Sequence, residues 1–184
     1  LFDEFPRLGE KLERLPLGMF PTPVEEVQPV ADEIGAGRFF VKRDDLTHPD
    51  YGGNKVRKLE FLLAHARSRG AETLITFGGI GSNHALATTI HGAAAGLKTV
   101  SCMVPQPVSA DVKRNILVGH HFGEEFRVVE KPPELVVNSL EKFARELVDR
   151  GRAPYIVPPG GSSLRGAAGY VNAAFELKKQ IDSG

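Results

Sequence analysis

The stretch Tyr51-Gly-Gly-Asn-Lys-Val-Arg-Lys-Leu-Glu60 sets two glycines, an amide and a lysine directly before residues with helical spacing. A lysine at the amino end of a helix faces the positive end of the helix dipole, and partial burial against the glycine turn disfavours its charged form further. Both effects leave more neutral amine. A neutral amine is the nucleophile that attacks an aldehyde or ketone to form a Schiff base, which makes Lys55 the first candidate catalytic residue. On spacing alone the more ordinary reading is a solvated lysine on a basic helix face shared with Arg57 and Lys58. Those two are expected to be surface charges, with Lys58 paired to a nearby acid.

The second constellation is Gly81-Ser-Asn-His84. Ser82 has the placement of a helix N-cap, a role compatible with binding a carboxylate. Asn83 can donate to an oxygen anion, and His84 can act as acid, base or hydrogen-bond donor near neutral pH. His91 is placed to share that helix face. Two histidines without a carboxylate partner make a poor metal site, so His91 is assigned to packing and no metal is expected. His120-His121 falls near a helix end, where a cation suits the dipole and needs no function. The sequence contains no Gly-x-Ser-x-Gly elbow, no His-Glu-x-x-His helix and no paired cysteine spacing.

The elements that must position these residues alternate in type. From Arg38 onward, short β-rich runs (RFFVKRD, TLITFG, KTVSCMV, EFRVVE, YIVP) are separated by longer amphipathic ones. Val56, Leu59, Leu62, Leu63 and Ala66 recur at helical spacing, as do Val136, Leu140, Phe143 and Leu147. Ser109 with Asp111 opens a further helix before Val112 and Ile116. Such a chain is α/β, with parallel strands joined by helical crossovers and ligands bound outside the carboxyl ends of the strands. Three loops that follow strands combine glycine with small polar residues and then enter a helix: DDLTHPDYGGNK, GGIGSNHA and PPGGSSLRGAAG. Glycine permits close ligand approach, and the exposed N–H groups of a helix start attract anions. None of the three is a phosphate-loop signature. The first ~35 residues carry prolines that break any long helix and are expected to form an arm with short helices.

Composition narrows the partners. The 184 residues are 41% hydrophobic and 25% charged, enough for one good core or two modest ones. Twenty-three basic and twenty-three acidic residues cancel, which gives no nucleic-acid footprint and no membrane-attracting surface. The single cysteine, Cys102, lies in an apolar run and is expected to be a buried strand thiol. No targeting leader and no spanning apolar run is apparent, so a cytoplasmic setting is expected. The chain begins with Leu and ends on a helix, as a piece of something longer would.

Taken together, FVKRDDLT…GGNKVRKLEF, LITFGGIGSNH and YIVPPGGSSLRGAAGY resemble the D-cysteine desulfhydrase and 1-aminocyclopropane-1-carboxylate deaminase family of pyridoxal-phosphate enzymes. The resemblance runs through most of the chain, and the combination is specific although each motif alone is not. It implies the tryptophan synthase β-like fold, type II among pyridoxal-phosphate enzymes: a three-layer α/β architecture of mostly parallel sheets with helices on both faces. It implies pyridoxal 5'-phosphate held covalently by Lys55, with Asn54 and Asn83 beside the cofactor. Ser82 becomes catalytic, and Ser82, Asn83, His84 and Gly161 contact a small amino-acid substrate.

The resemblance further implies a homodimer and three segments: residues 1–55 starting a large domain, 56–158 forming a small α/β domain, and 159–184 returning to the large one. Family members are much longer, and their second half carries the phosphate cradle, the partner of the pyridine nitrogen and an active-site tyrosine. Residues 1–184 alone are therefore expected to be inactive. Gly81 departs from a glutamine common in the family, and Ala85-Leu86 from a bulkier, more polar continuation. His84 favours β-elimination from D-cysteine over ring opening. The rival from another class is a non-catalytic anion-binding α/β module, which explains the glycine loops but not Lys55.

Overall fold

A computed structural model describes residues 1–129 and 133–183, apart from the side chains of 133–139. Its elements, in chain order, are β1 (Val24–Glu26), α1 (Gln28–Glu33), β2 (Phe40–Lys42), α2 (Lys55–Ser68), β3 (Thr73–Gly79), α3 (Asn83–Ala94), β4 (Lys98–Val104), α4 (Ala110–His121), β5 (Glu125–Val128), α5 (Pro133–Asp149), β6 (Pro154–Ile156) and α6 (Leu164–Asp182). The main sheet has the order β5-β4-β3-β6 and is parallel throughout. From β3 the chain steps outward to β4 and β5, then returns to add β6 on the other side. The strand order therefore reverses between β3 and β6, and in open α/β sheets such a reversal is where ligands bind, outside the carboxyl ends of the strands. No helix among the described residues is long and apolar enough to cross a membrane.

Two expectations need correction. The strand read in RFFVKRD is outside the parallel sheet: β2 pairs antiparallel with β1, matching Val24 to Lys42 and Glu26 to Phe40. The proline-bearing arm supplies that partner strand as well as the short helices expected of it. Prolines at 21 and 23 end any helix but leave Val24–Glu26 free to extend.

Alternation along the strands builds the layers. Leu74 of β3 meets Leu59, Leu62, Leu63 and Ala66 of α2 and Ala87 of α3. Its neighbour Ile75 points the other way, to Val100 and Cys102 of β4 and Leu140, Phe143 and Leu147 of α5. The period of two thus places helices on both faces. The side chain of Val136, expected in the same apolar stripe, is among those left undescribed. Ser82 and Ser109 cap α3 and α4 as their positions suggest, accepting from the Ala85 and Val112 N–H groups at 3.4 and 3.2 Å.

Helix α2 is buried on nearly every side. Beyond the sheet-facing stripe, Phe61 packs with Leu1 and Ala168, joining α2 to the amino-terminal arm and α6. Glu60, 1% exposed, accepts from Arg14 Nε at 2.7 Å and from the Leu17 and Gly18 N–H groups, which pins the arm across the helix. Arg57 is a correction to the sequence reading: it is not a surface charge but is 1% exposed. Its guanidinium donates to Asp44 at 2.7 Å, to Glu176 at 3.0 Å and to Thr22 Oγ1 at 3.1 Å, and lies over the Phe20 ring at 4.5 Å. Lys42 adds a second cation, 2.6 Å from Glu176, so two cations face two carboxylates. Helical periodicity placed residue 57 on the flank of the apolar stripe, but carboxylates 13 and 119 residues away could not be seen from spacing.

Removing one member of a buried charge network leaves the others unpaired, and that costs about 3–5 kcal/mol. Arg57→Met in the full-length protein is expected to lower stability by that amount in urea unfolding. Arg38→Met, which removes an exposed pair with Glu26, is expected to leave it nearly unchanged.

Candidate active site

The lysine loop is built from backbone outward. Thr47, fully buried, accepts from the Gly53 N–H at 2.9 Å and donates to the Asp44 carbonyl at 2.9 Å, while the Gly53 N–H also reaches the Asp44 carbonyl at 2.8 Å. A Cβ on Gly52 would stand 2.0 Å from the Asp45 carbonyl oxygen, and Gly53 has φ +123°. Only glycine fits both positions. His48 closes the other side, its Nδ1 accepting from the Asp50 N–H, while its ring meets His91 edge-on at 4.8 Å. His91 itself is buried and reaches the Tyr51 carbonyl through Nε2 at 3.0 Å, the packing role expected of it.

This turn delivers Lys55 to the first position of α2. Its ammonium is held below the usual lysine range, first by burial and then by the charge of Lys58. The helix dipole acts in the same direction. Among the described residues its Nζ has no hydrogen-bond or ion-pair partner, whereas the neighbouring lysines are engaged. Lys42 is paired with Glu176 and donates to the Thr22 carbonyl. Lys58, expected to meet an acid, donates instead to the Gly160 carbonyl at 3.0 Å. Of these three amines, Lys55 is the free one. Asn54 is exposed, and its side chain makes no cap to α2.

The other candidates converge on the same end of the sheet. Tyr51 of the lysine loop donates from its hydroxyl to Asn83 Oδ1 at 3.3 Å, joining the starts of α2 and α3. Asn115 of α4 donates to the same oxygen at 2.8 Å. Ser82 accepts its cap bond and keeps its own hydroxyl proton available. Gly161 is buried in the turn after β6, its N–H bonded to the Pro158 carbonyl at 2.8 Å, and the Lys58 contact at Gly160 ties that turn to α2. The loops after β3 and β6 flank the point where strand order reverses. Sequence reasoning missed Tyr51 and Asn115. Tyr51 lies inside the quoted lysine motif, but Asn115 carried no signal beyond being a polar residue one turn from Val112 on α4.

His84 and its successors face inward. The ring is 6% exposed, with Nε2 3.3 Å from Thr76 Oγ1 on β3, and Ala85 and Leu86 are buried in the core. Burial and the nearby Lys55 charge push the imidazole down to about 4. The Pro158 carbonyl opposes this shift in part but is not placed to bond Nδ1, which has no partner among the described residues. At neutral pH His84 is an uncharged imidazole.

The Lys55 amine, whose loop is tied through Tyr51 to the Asn83 amide, is of a kind that can capture a carbonyl compound, and the amide of a kind that can donate to an oxygen anion on it. The family described as "Pyridoxal-phosphate dependent enzyme" matches residues 15–184, and the chain belongs to that family, whose cofactor is such a compound. The chain is 39% identical over 180 residues to a "Putative 1-aminocyclopropane-1-carboxylate deaminase" of Pyrococcus abyssi, covering 96% of this chain and 53% of that protein. It is 37% identical over 173 residues to a D-cysteine desulfhydrase of Klebsiella pneumoniae, covering 92% and 52%.

Among solved structures, an ACC deaminase homologue superimposes with a TM-score of 0.85 at 38% identity, covering 95% of this chain and 53% of that one. Escherichia coli diaminopropionate ammonia lyase in its apo form, at 17% identity and a TM-score of 0.63 over 90% of this chain and 49% of that one, shares the fold. The chain spans about half the length of the curated relatives it matches. Relatives named for the two reactions lie at nearly equal identity, so similarity alone does not separate the activities.

His84 supplies a pH prediction. Its folded value, about 4, lies below the unfolded 6.5, so the unfolded chain takes up the proton first on acidification. Stability should therefore fall as pH drops from 6.5 toward 4, by up to about 3 kcal/mol from this group, and be unaffected by it above 6.5. Urea unfolding of the full-length protein across that range, against His84→Gln, reads the difference; parallel slopes for both would contradict the assignment.

Proposed function

We propose that the full-length protein is a pyridoxal-phosphate-dependent lyase or deaminase of a small amino acid, with the cofactor attached at Lys55 and β-elimination of the D-cysteine type as its reaction. The observation that carries this reading is the Lys55 amine, free of partners among the described residues and shifted toward its neutral form. The residues present fit the cofactor: the amine suits its aldehyde, and the Asn83 amide, its oxygen occupied by Tyr51 and Asn115, offers an NH2 group to its ring oxygen. Bound there, pyridoxal phosphate supplies an electron sink for charge developed at the substrate α-carbon.

The chain's own residues do the rest. Ser82 and the first N–H groups of α3 take the substrate carboxylate, with the positive end of the helix dipole in support, and Gly161 is assigned to the same substrate site. Asn54 lies next to the attachment point. With the cofactor bound, the Lys55 amine would be the base that takes the substrate α-proton, and burial shifts it toward its neutral form. His84, at the substrate end of α3 but buried, keeps a neutral ring next to Lys55 and adds no competing cation. In domain terms, residues 1–55 and 159–184 belong to a large domain and 56–158 to a small one.

Abstraction of an α-proton is what a single lysine amine can do, and this supports elimination from D-cysteine to pyruvate, ammonia and sulfide. A 1-aminocyclopropane-1-carboxylate substrate has no α-hydrogen, so its ring opening needs a further group. Ring opening is the second reading, favoured by the deaminase-named relative. A non-catalytic anion-binding module leaves the free lysine without a role. Assayed side by side, the full-length protein should release sulfide from D-cysteine faster than it forms 2-oxobutanoate from 1-aminocyclopropane-1-carboxylate. Lys55→Ala should lower turnover by at least about a hundredfold. Efficient ring opening without sulfide would reverse the choice of substrate, and full activity in Lys55→Ala would remove the mechanism.

A further inference from the structure

Asn83 is exposed at the first position of α3, yet its amide is not free to turn. Its Oδ1 accepts from Asn115 Nδ2 at 2.8 Å and from the Tyr51 hydroxyl at 3.3 Å. A hydroxyl can donate or accept, so Tyr51 would tolerate either orientation of the amide. Asn115 would not. Its Nδ2 also donates to the Gly81 carbonyl at 2.8 Å, and a backbone carbonyl only accepts. That contact fixes which end of the Asn115 amide is nitrogen. If Asn83 turned over, two NH2 groups would face each other at that same short distance, donor against donor.

The anchor is itself constrained. Gly81 has φ +81°, and a Cβ there would stand 2.8 Å from Val112 Cα, so the turn lies against α4 and aims its carbonyl at Asn115 one helical turn farther on. Asn115 is 4% exposed and has no access to solvent hydrogen bonds that could replace these two. Both lone pairs of Asn83 Oδ1 are thereby used, and its Nδ2 has no partner among the described residues.

We infer that Asn115 is a positioning residue: through the Gly81 carbonyl it locks Asn83 so that only an NH2 group faces the crevice, which makes this wall of the site a donor that selects a ligand oxygen anion. The inference rests on the cofactor reading above, in which that anion is the phenolic oxygen of pyridoxal phosphate. A donor there draws charge from the phenolic oxygen and weakens its hold on the neighbouring proton shared with the Lys55 nitrogen. The visible absorption band of the loaded protein should therefore titrate at lower pH with the donor than without it.

The test uses the full-length protein and Asn115→Asp, which keeps the shape but can only accept and so draws the Asn83 NH2 group toward itself. The band is expected to titrate at higher pH, and pyridoxal phosphate to bind the apoprotein about tenfold more weakly, the effect of one hydrogen bond to a charged group. Asn83→Ala should do the same, and the double variant should be no weaker than Asn83→Ala alone, because one residue acts through the other. If the aspartate variant does not fold, Asn115→Ala, which frees the Asn83 amide to turn and adds no charge beside the Gly81 carbonyl, is expected to shift the titration and the binding in the same direction but by less than about tenfold. An unchanged titration in the Asn115 variants, or losses that multiply to about a hundredfold in the double variant, would overturn the inference. A wild-type protein with no visible band would instead overturn the cofactor reading itself, and the inference with it.

Discussion

The buried pairing of Arg57 with Asp44 and Glu176 is the constraint on which the site depends. A guanidinium that has left water must keep its partners in place, since moving any of them exposes an unpaired charge to a low-dielectric interior. Here the partners come from a loop after β2 and from α6, and Lys42 of β2 completes the charge balance. Burial alone would push the Glu176 carboxyl up, but hydrogen bonds from Arg57 and Lys42 hold it below the usual carboxylate range. The network thus stays ionised through neutral pH and fixes the first turn of α2 between the small sheet and the last helix.

Asp44 carries that rigidity to the chemistry. Its side chain meets Arg57, while its carbonyl accepts from the Gly53 N–H and from Thr47, the two contacts that shape the glycine turn. The turn then places Lys55 two residues ahead of Arg57 on the same helix. Neighbouring cations are held elsewhere: Lys42 in the charge network, Lys58 on the Gly160 carbonyl. Partial burial, then the fixed positive charge of Lys58, with the helix dipole acting in the same direction, favour a neutral amine at Lys55. Stability and reactivity are joined through one segment of backbone.

Periodicity made much of this legible. The alternation of β-rich and amphipathic runs gave the parallel sheet and its helices, because side-chain periods of two and 3.6 report which faces are buried. The Gly-Gly-Asn-Lys and Gly-Ser-Asn runs pointed to the loops that the topology brings to one crevice. What periodicity could not carry was long-range polar pairing. Arg57 looked like a surface charge because its partners lie far away in sequence, and β2 looked like part of the parallel sheet because its antiparallel partner sits in a proline-rich arm. Asn115 had no local signal, since its role is set by a carbonyl 34 residues earlier. His84 looked like an acid–base group by type, whereas burial against Thr76 holds it neutral.

The central claim is that Lys55, and no other lysine of this chain, holds the cofactor. Borohydride reduction of the full-length protein loaded with pyridoxal phosphate, followed by proteolysis and mass spectrometry, tests it directly. The account predicts a single pyridoxyl-bearing residue at Lys55. Label on Lys42 or Lys58 in its place would contradict it, because both amines are already committed to partners that hold the fold together.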